Sequence, residues 1–182
     1  MEGFADIFSI FMATGSLLML AVSLFVLLLP KVKFSFTKKV KTFLENQGPT
    51  ILFMTAFFAV MGSLIYSDVL GMEPCQLCWY QRIVMYPLPV LLGYAMYKKD
   101  VKSLLPYLQI LIIIGLVISV YQYLSQMLPG FATITKIAES CGVSGPACTD
   151  TYIEAFGFVT IPLMSVAAFW FMLTLVRGIR KA

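Results

Sequence analysis

Four cysteines and one arginine are the residues of this chain best placed to do chemistry, and they lie in two short stretches. The first reads Glu-Pro-Cys-Gln-Leu-Cys-Trp-Tyr-Gln-Arg over 73–82, between two long apolar runs. Its Cys75 and Cys78 form a Cys-x-x-Cys pair, and Arg82 follows Cys78 by four residues. A helix that begins near Cys75 puts Cys75, Cys78 and Arg82 on one stripe, because residues three and four apart share a face. A thiol in the first turn of a helix feels the positive end of the macrodipole, and a neighbouring guanidinium adds to that field. Both effects favour the thiolate, the form that attacks disulfides and binds metals. The second stretch, Cys-Gly-Val-Ser-Gly-Pro-Ala-Cys over 141–148, is a cysteine pair in a loop marked by glycine and proline. The pattern is that of a redox or metal site at a membrane surface.

The elements that position these residues are membrane spans. Of the 182 residues, 60% are hydrophobic and only 12% charged, and the mean hydropathy is +0.90. A soluble domain is about a quarter charged. The apolar excess is gathered in runs long enough to cross a hydrocarbon core about 30 Å thick. Spans are expected at 7–29, 50–66, about 79–97, about 104–124 and about 155–176. The first is preceded by Glu2 and Asp6 and lacks the basic start and small-residue cleavage site of a signal peptide, so it is expected to be retained. Pro49 suits the start of the second span. Pro87 and Pro89 should kink the third. Phe131, Ile134, Ile137 and Ala138 fall at helical spacing, as in a short helix lying in the interface. The expected class is all-α, a polytopic membrane protein of one small bundle. The lysines flank apolar runs and form no aromatic-interleaved patch, which argues against nucleic-acid binding.

Charge sets the expected orientation. The 31–49 stretch holds five lysines, and the 98–103 connection and the C-terminal tail hold three basic residues each. The other side holds only Arg82 and Lys136. The positive-inside rule therefore puts the basic segments in the cytoplasm, both cysteine pairs outside, the N-terminus out and the C-terminus in.

On an oxidising face, cysteines form disulfides that persist. Four cysteines allow three pairings. Local bridges close small rings, which constrain the unfolded chain little, so stapling explains them poorly. A loop disulfide at 141–148 that only holds a turn, and a four-cysteine metal site, are the competing readings; a metal is not expected. Trp79 and Tyr80 admit two readings, as aromatics of the interface belt or as walls for a flat ring beside Cys78. Arg82 admits snorkelling to the interface as well as a role at Cys78.

Residues 74–82, Pro-Cys-Gln-Leu-Cys-Trp-Tyr-Gln-Arg, resemble the signature of the DsbB family of disulfide-bond-forming membrane oxidoreductases. Gly-Pro-Ala-Cys (145–148) and Gly-Phe-Val-Thr-Ile-Pro-Leu-Met (157–164) resemble its second cysteine loop and last helix, with the short spacing of the compact BdbC-type branch. The resemblance covers about 45–176 and implies a four-helix bundle over 49–176. The remainder divides into an extra helix at 1–30, a cytoplasmic basic loop at 31–48 and a cytoplasmic tail at 177–182. It further implies a bacterial inner-membrane protein with catalytic cysteines at Cys75, Cys78, Cys141 and Cys148, and a quinone (ubiquinone or menaquinone) held by Cys78, Arg82 and Trp79. A reduced DsbA-like partner of thioredoxin fold would attack the Cys141–Cys148 disulfide. Cys141 would take the mixed disulfide, Cys148 would exchange with Cys75, and Cys78 would pass electrons to the quinone, with Arg82 stabilising the anionic species. Some relatives carry a histidine near the end of the fourth span, where this chain reads Tyr121-Gln122-Tyr123 and has no histidine at all. A vitamin K epoxide reductase type of enzyme, an electron exporter that reduces envelope disulfides, and a non-enzymatic membrane protein with passive disulfides are the rival readings.

Overall fold

The computed structural model describes residues 2–28, 34–128, 148, 151 and 153–181. The described chain is built from helices: α1 (Glu2–Leu28), α2 (Phe34–Leu64), α3 (Gln76–Met85), α4 (Pro87–Tyr97), α5 (Val101–Met127) and α6 (Ile161–Lys181). Four of them, α1, α2, α5 and α6, are long and apolar enough to cross a membrane. The third span expected from sequence is divided into two shorter helices, as its prolines require. Pro87 and Pro89 have no N–H to give to the preceding turn, so α3 ends at Met85 and α4 restarts after Tyr86. The all-α, multi-pass architecture expected from composition is the one observed.

Several boundaries differ from expectation, beginning with α1, which starts at Glu2 and not at residue 7. Pro49 does not open the second span: α2 begins at Phe34 and runs through it. Most of the 31–48 stretch, expected as a loop, is therefore helix, and lysine is a good helix former. The carbonyl that Pro49 leaves without its N–H belongs to Glu45, at an exposed end where water can replace the bond. The last helix begins at Ile161 rather than near 155, because residues 155–159 close a tight turn through an Ala155–Val159 bridge. Phe156 and Gly157 take positive φ there, of 57° and 76°. Pro162 thus falls in the first turn of α6, where it costs no helical hydrogen bond. The fourth span is longer than expected and starts at an Asp100 cap that accepts from Ser103 N–H at 3.4 Å. The proposed interfacial helix at 131–140 lies outside the described residues.

In lipid, helices associate through close packing rather than by escaping water. The bundle accordingly uses small residues where α6 meets its neighbours. A Cβ on Gly48 of α2 would stand 2.7 Å from Ile179, and one on Gly178 of α6 would stand 2.9 Å from Leu44. On α5, a Cβ on Gly115 would stand 2.3 Å from the ring of fully buried Phe169. Around these contacts Leu52, Leu88, Leu92, Leu108, Ile112 and Met172 form the main core. α1 joins by another small-residue face: Ser9, Ala13, Ser16 and Ser23 are buried, and the three serines return their hydroxyls to their own helix.

Gly115→Leu should push the Phe169 ring out of its seat and destabilise the bundle by about 1–3 kcal/mol, as overpacking does. Thermal unfolding in detergent reads this as a lowered Tm; an unchanged Tm would mean the helices can separate there without cost.

Candidate active site

The site starts from a helix terminus. Cys75 has extended backbone (φ −67°, ψ 170°) and stands at the N-cap of α3, with Trp79 N–H donating to its carbonyl at 3.1 Å. Pro74 before it cannot extend the helix, and Cys78 then falls in the first turn, on the same face. The two sulfurs lie 3.3 Å apart, the Cys75 thiol donating to Cys78. Both lie at the mouth of the third span, Cys75 before α3 and Cys78 in its first turn. Just upstream, α2 ends in a π-helical turn, Ile65–Val69, which buries Tyr66 beneath the site.

Cys148 joins this pair. It is 1% exposed and packs in one cluster with Cys75 and Leu77, against Cys78, Ile118 and Tyr121. Its thiol is in hydrogen-bond contact with Cys75, and Gln126 donates to its carbonyl at 3.5 Å. The structure thus brings Cys148, Cys75 and Cys78 into a continuous line of sulfurs. Cys141 lies outside the described residues.

A buried amide serves both members of the Cys-x-x-Cys pair. Gln122 of α5 is 2% exposed and its Nε2 lies 3.2 Å from each of the two sulfurs. Gln81, one turn beyond Cys78, donates to Gln122 Oε1 at 2.6 Å and fixes which way the amide faces. Cys78 is consequently the acidic thiol, its pKa lowered to about 7 by the Cys75 hydrogen bond and, after an opposing effect of burial, by Gln122. Cys75 is pushed the other way, by its hydrogen bonds to Cys148 and Cys78 and by burial, and stays protonated.

Arg82 points elsewhere than its spacing suggests. Its Nε donates to Ser63 Oγ at 3.0 Å and its Nη2 to the Ser63 carbonyl at 2.9 Å, which ties α3 to α2. Trp79 is half exposed and lies under the guanidinium, 5.2 Å from ring centre to Cζ. The side chains that hydrogen-bond to Cys78 are Cys75 and Gln122, neither of them charged.

Cys75, Cys78, Gln81, Arg82 and Gln122 all line a cavity of about 640 Å³ whose other walls come from α1, α2 and the start of α6. Trp79 and Tyr80 are not among its lining residues. Thr160, buried at 1% exposure, also lines it, and its hydroxyl has no hydrogen-bond partner among the described residues. Among the described residues no group of three or more His, Cys, Asp or Glu is placed to hold a metal ion. Sequence spacing pointed to Arg82 but not to the Gln81–Gln122 pair or Thr160. The available signal was a glutamine within an otherwise apolar span, since polar groups at membrane depth are rare without a task.

A line of buried sulfurs at the edge of an apolar cavity, inside a helical bundle that crosses a membrane, defines a membrane thiol oxidoreductase. The chain belongs to the DsbB family: residues 46–177 match the family described as "Disulfide bond formation protein DsbB". It is 42% identical over 129 residues to a "Probable disulfide formation protein" of Coxiella burnetii, covering 71% of this chain and 84% of that one. It is 44% identical over 116 residues to "Disulfide bond formation protein C" of Bacillus subtilis, covering 64% and 80% respectively. An "SPbeta prophage-derived disulfide bond formation protein B" of Bacillus subtilis is 38% identical over 133 residues, 73% of this chain and 82% of that one. No solved structure matches. The protein is a disulfide-forming oxidoreductase of the membrane, and α1 lies outside the family match.

Lowering of the Cys78 pKa means that its thiolate, and with it alkylation by iodoacetamide, rises with pH through about 7. Gln122→Leu removes an N–H donor that favours the charged form, so the midpoint moves up and labelling at pH 7 slows several-fold. Site-resolved mass spectrometry checks this; an unmoved midpoint would remove Gln122 from the account of Cys78.

Proposed function

We propose that the protein reoxidises a reduced, DsbA-like dithiol protein of thioredoxin fold and passes its electrons to a membrane quinone. The observation that carries the reading is the unbroken path from Cys148 through Cys75 and Cys78 to an apolar cavity. The positive-inside distribution supports placing that path on the outer face, with the N-terminus out and the C-terminus in.

Partner oxidation needs two thiol–disulfide exchanges within the chain. The partner's thiolate opens the Cys141–Cys148 disulfide and forms a mixed disulfide on Cys141, and the partner's second thiol resolves it. The partner leaves with a disulfide, having lost two electrons and two protons, and Cys141 and Cys148 are now thiols. Cys148, deprotonated, attacks Cys75 in the Cys75–Cys78 disulfide, and Cys141 then displaces Cys75 to restore the loop bridge. Cys78 is the better leaving sulfur because its thiolate is the stabilised one, and exchange favours a leaving thiol of low pKa. Cys75, held protonated, donates to that thiolate.

The cavity residues fit a quinone: apolar walls, a reduced sulfur at one end, and Arg82 and the unpartnered Thr160 hydroxyl as donors. When bound, a quinone supplies the acceptor for two electrons and two protons, so that Cys75 and Cys78 return to a disulfide. Arg82 and Cys78 hold its ring end in this reading, and Trp79 acts by steadying the Arg82 guanidinium. Membrane lipid surrounds the remaining faces.

Purified protein in detergent, given a reduced thioredoxin-fold oxidoreductase and a soluble quinone, should consume quinone absorbance. Cys78→Ser should abolish that loss, while a reduced partner whose own resolving cysteine is replaced by serine should open the Cys141–Cys148 disulfide of the otherwise intact protein and accumulate as a mixed disulfide on Cys141. Quinone loss that survives Cys78→Ser, or that trapped partner found on Cys148 instead of Cys141, would overturn the route. Arg82→Leu removes a charge-assisted donor and should raise the apparent KM for quinone about ten-fold or more. An unchanged KM, at an unchanged Tm, would take Arg82 out of the binding site.

A further inference from the structure

Helix α1 lies outside the family match, yet it builds one side of the cavity. α1 and α2 both pack closely on α6, whereas they touch one another only sparsely. A crevice therefore runs between them with α6 as its floor, and the cavity occupies it. α1 contributes Phe8, Phe11, Met12, Gly15, Ser16 and Met19, a stripe that recurs at the three- and four-residue spacing of one helix face. Near the cysteines the crevice is bridged twice. The Phe8 ring meets Tyr66 edge-on at 5.2 Å between centroids. The Met12 methyl lies 2.5 Å from where a Cβ on Gly62 would stand. Farther along, Gly15 has nothing within 4 Å of the position its own Cβ would take.

The two ends of this space differ chemically. The donors and sulfurs sit on α2, α3, α5 and the approach to α6. α1 brings no charge to the lining, and its Ser16 hydroxyl is already given to the Ala13 carbonyl at 2.7 Å. From Phe8 to Met19 the stripe follows about 16 Å of helix axis at 1.5 Å per residue, far longer than a single ring. What suits it is an extended hydrocarbon.

We propose that α1 is the lateral wall of the ligand cavity and seats the isoprenoid tail of a long-tailed quinone, so that tail length sets specificity. This rests on the quinone reading above and assigns the tail to a part of the chain that the family match does not include. A phospholipid acyl chain shares the hydrocarbon chemistry, and the test separates the two.

Gly15 offers the test because a side chain there would enter open space instead of a neighbour. Gly15→Phe in the full chain should raise the apparent KM for a long-tailed quinone about ten-fold and leave that for a tail-less quinone unchanged. Gly3→Phe, also in open space on α1 but off the cavity lining, should change neither. A second readout needs no turnover: in Gly15→Cys, labelling at position 15 by a lipid-soluble maleimide, resolved by mass spectrometry, should be protected by the long-tailed quinone and not by a tail-less quinone or phospholipid. Equal effects on both quinones, no effect on either, or protection by phospholipid alone would overturn the proposal. If wild type reduces the tail-less quinone while Gly15→Phe spares the long-tailed one, the wall falls and the quinone reading stands. If wild type reduces no quinone and Gly15→Cys shows no protection, both fall.

Discussion

The controlling constraint is the cost of a sulfur anion inside an apolar bundle. A thiolate withdrawn from water must be given hydrogen bonds by the protein, or it takes up a proton. At Cys78 those bonds come from the Cys75 thiol and the Gln122 amide, with Gln81 fixing the amide's direction. The donors arrive from two helices, so the charge is stabilised only when α3 and α5 are docked. α3 packs on α5, while Leu88 and Leu92 of α4 enter the main core.

Much of this arrangement was legible in the sequence, for reasons that are local. Apolar length gave the spans, proline placement gave the break after Met85, and the Pro-Cys pair gave the start of α3 at the cysteines. Pro49 and the start of α6 were misplaced because proline reports only the bond it cannot make. Whether a helix continues through it depends on whether water or a neighbour covers the freed carbonyl. The direction of Arg82 was hidden for another reason. A four-residue spacing puts two Cβ atoms on one face, but a long side chain chooses its partner, and the Ser63 hydroxyl and carbonyl sit where the guanidinium can take both. The Gln122 contact joins residues 44 positions apart on separate helices, and no periodicity encodes that.

Helix α6 links the redox end to the membrane. It is the one helix packed against α1, α2 and α5 together, and half of its apolar window is buried, more than in any other candidate span. Its start is fixed by the bridged turn at 155–159, which sets Thr160 into the cavity wall. Its middle seats Phe169 on Gly115, and its end accepts Leu44 and Ile179 contacts with α2. Because α1 and α2 each dock mainly on α6 and meet one another at few points, the space between them follows from the packing. The cavity is thus a property of helix order as much as of side-chain choice.

Proton handling must follow from the same few groups. The chain contains no histidine, and Gln122, which contacts both sulfurs, cannot titrate near neutral pH. Thiol–disulfide exchange nevertheless has to remove a proton from each attacking sulfur and return one to each leaving sulfur. Cys78 and Cys75 divide that work by environment: the first loses its proton near pH 7, the second stays protonated as a donor 3.3 Å away. The pair therefore keeps a proton within reach of the reactive sulfur without a dedicated base, and the charged residues at the cavity, Arg82 and Glu73, stand beyond that contact. With a non-titrating amide at both sulfurs, the pH response of the pair is that of Cys78 itself.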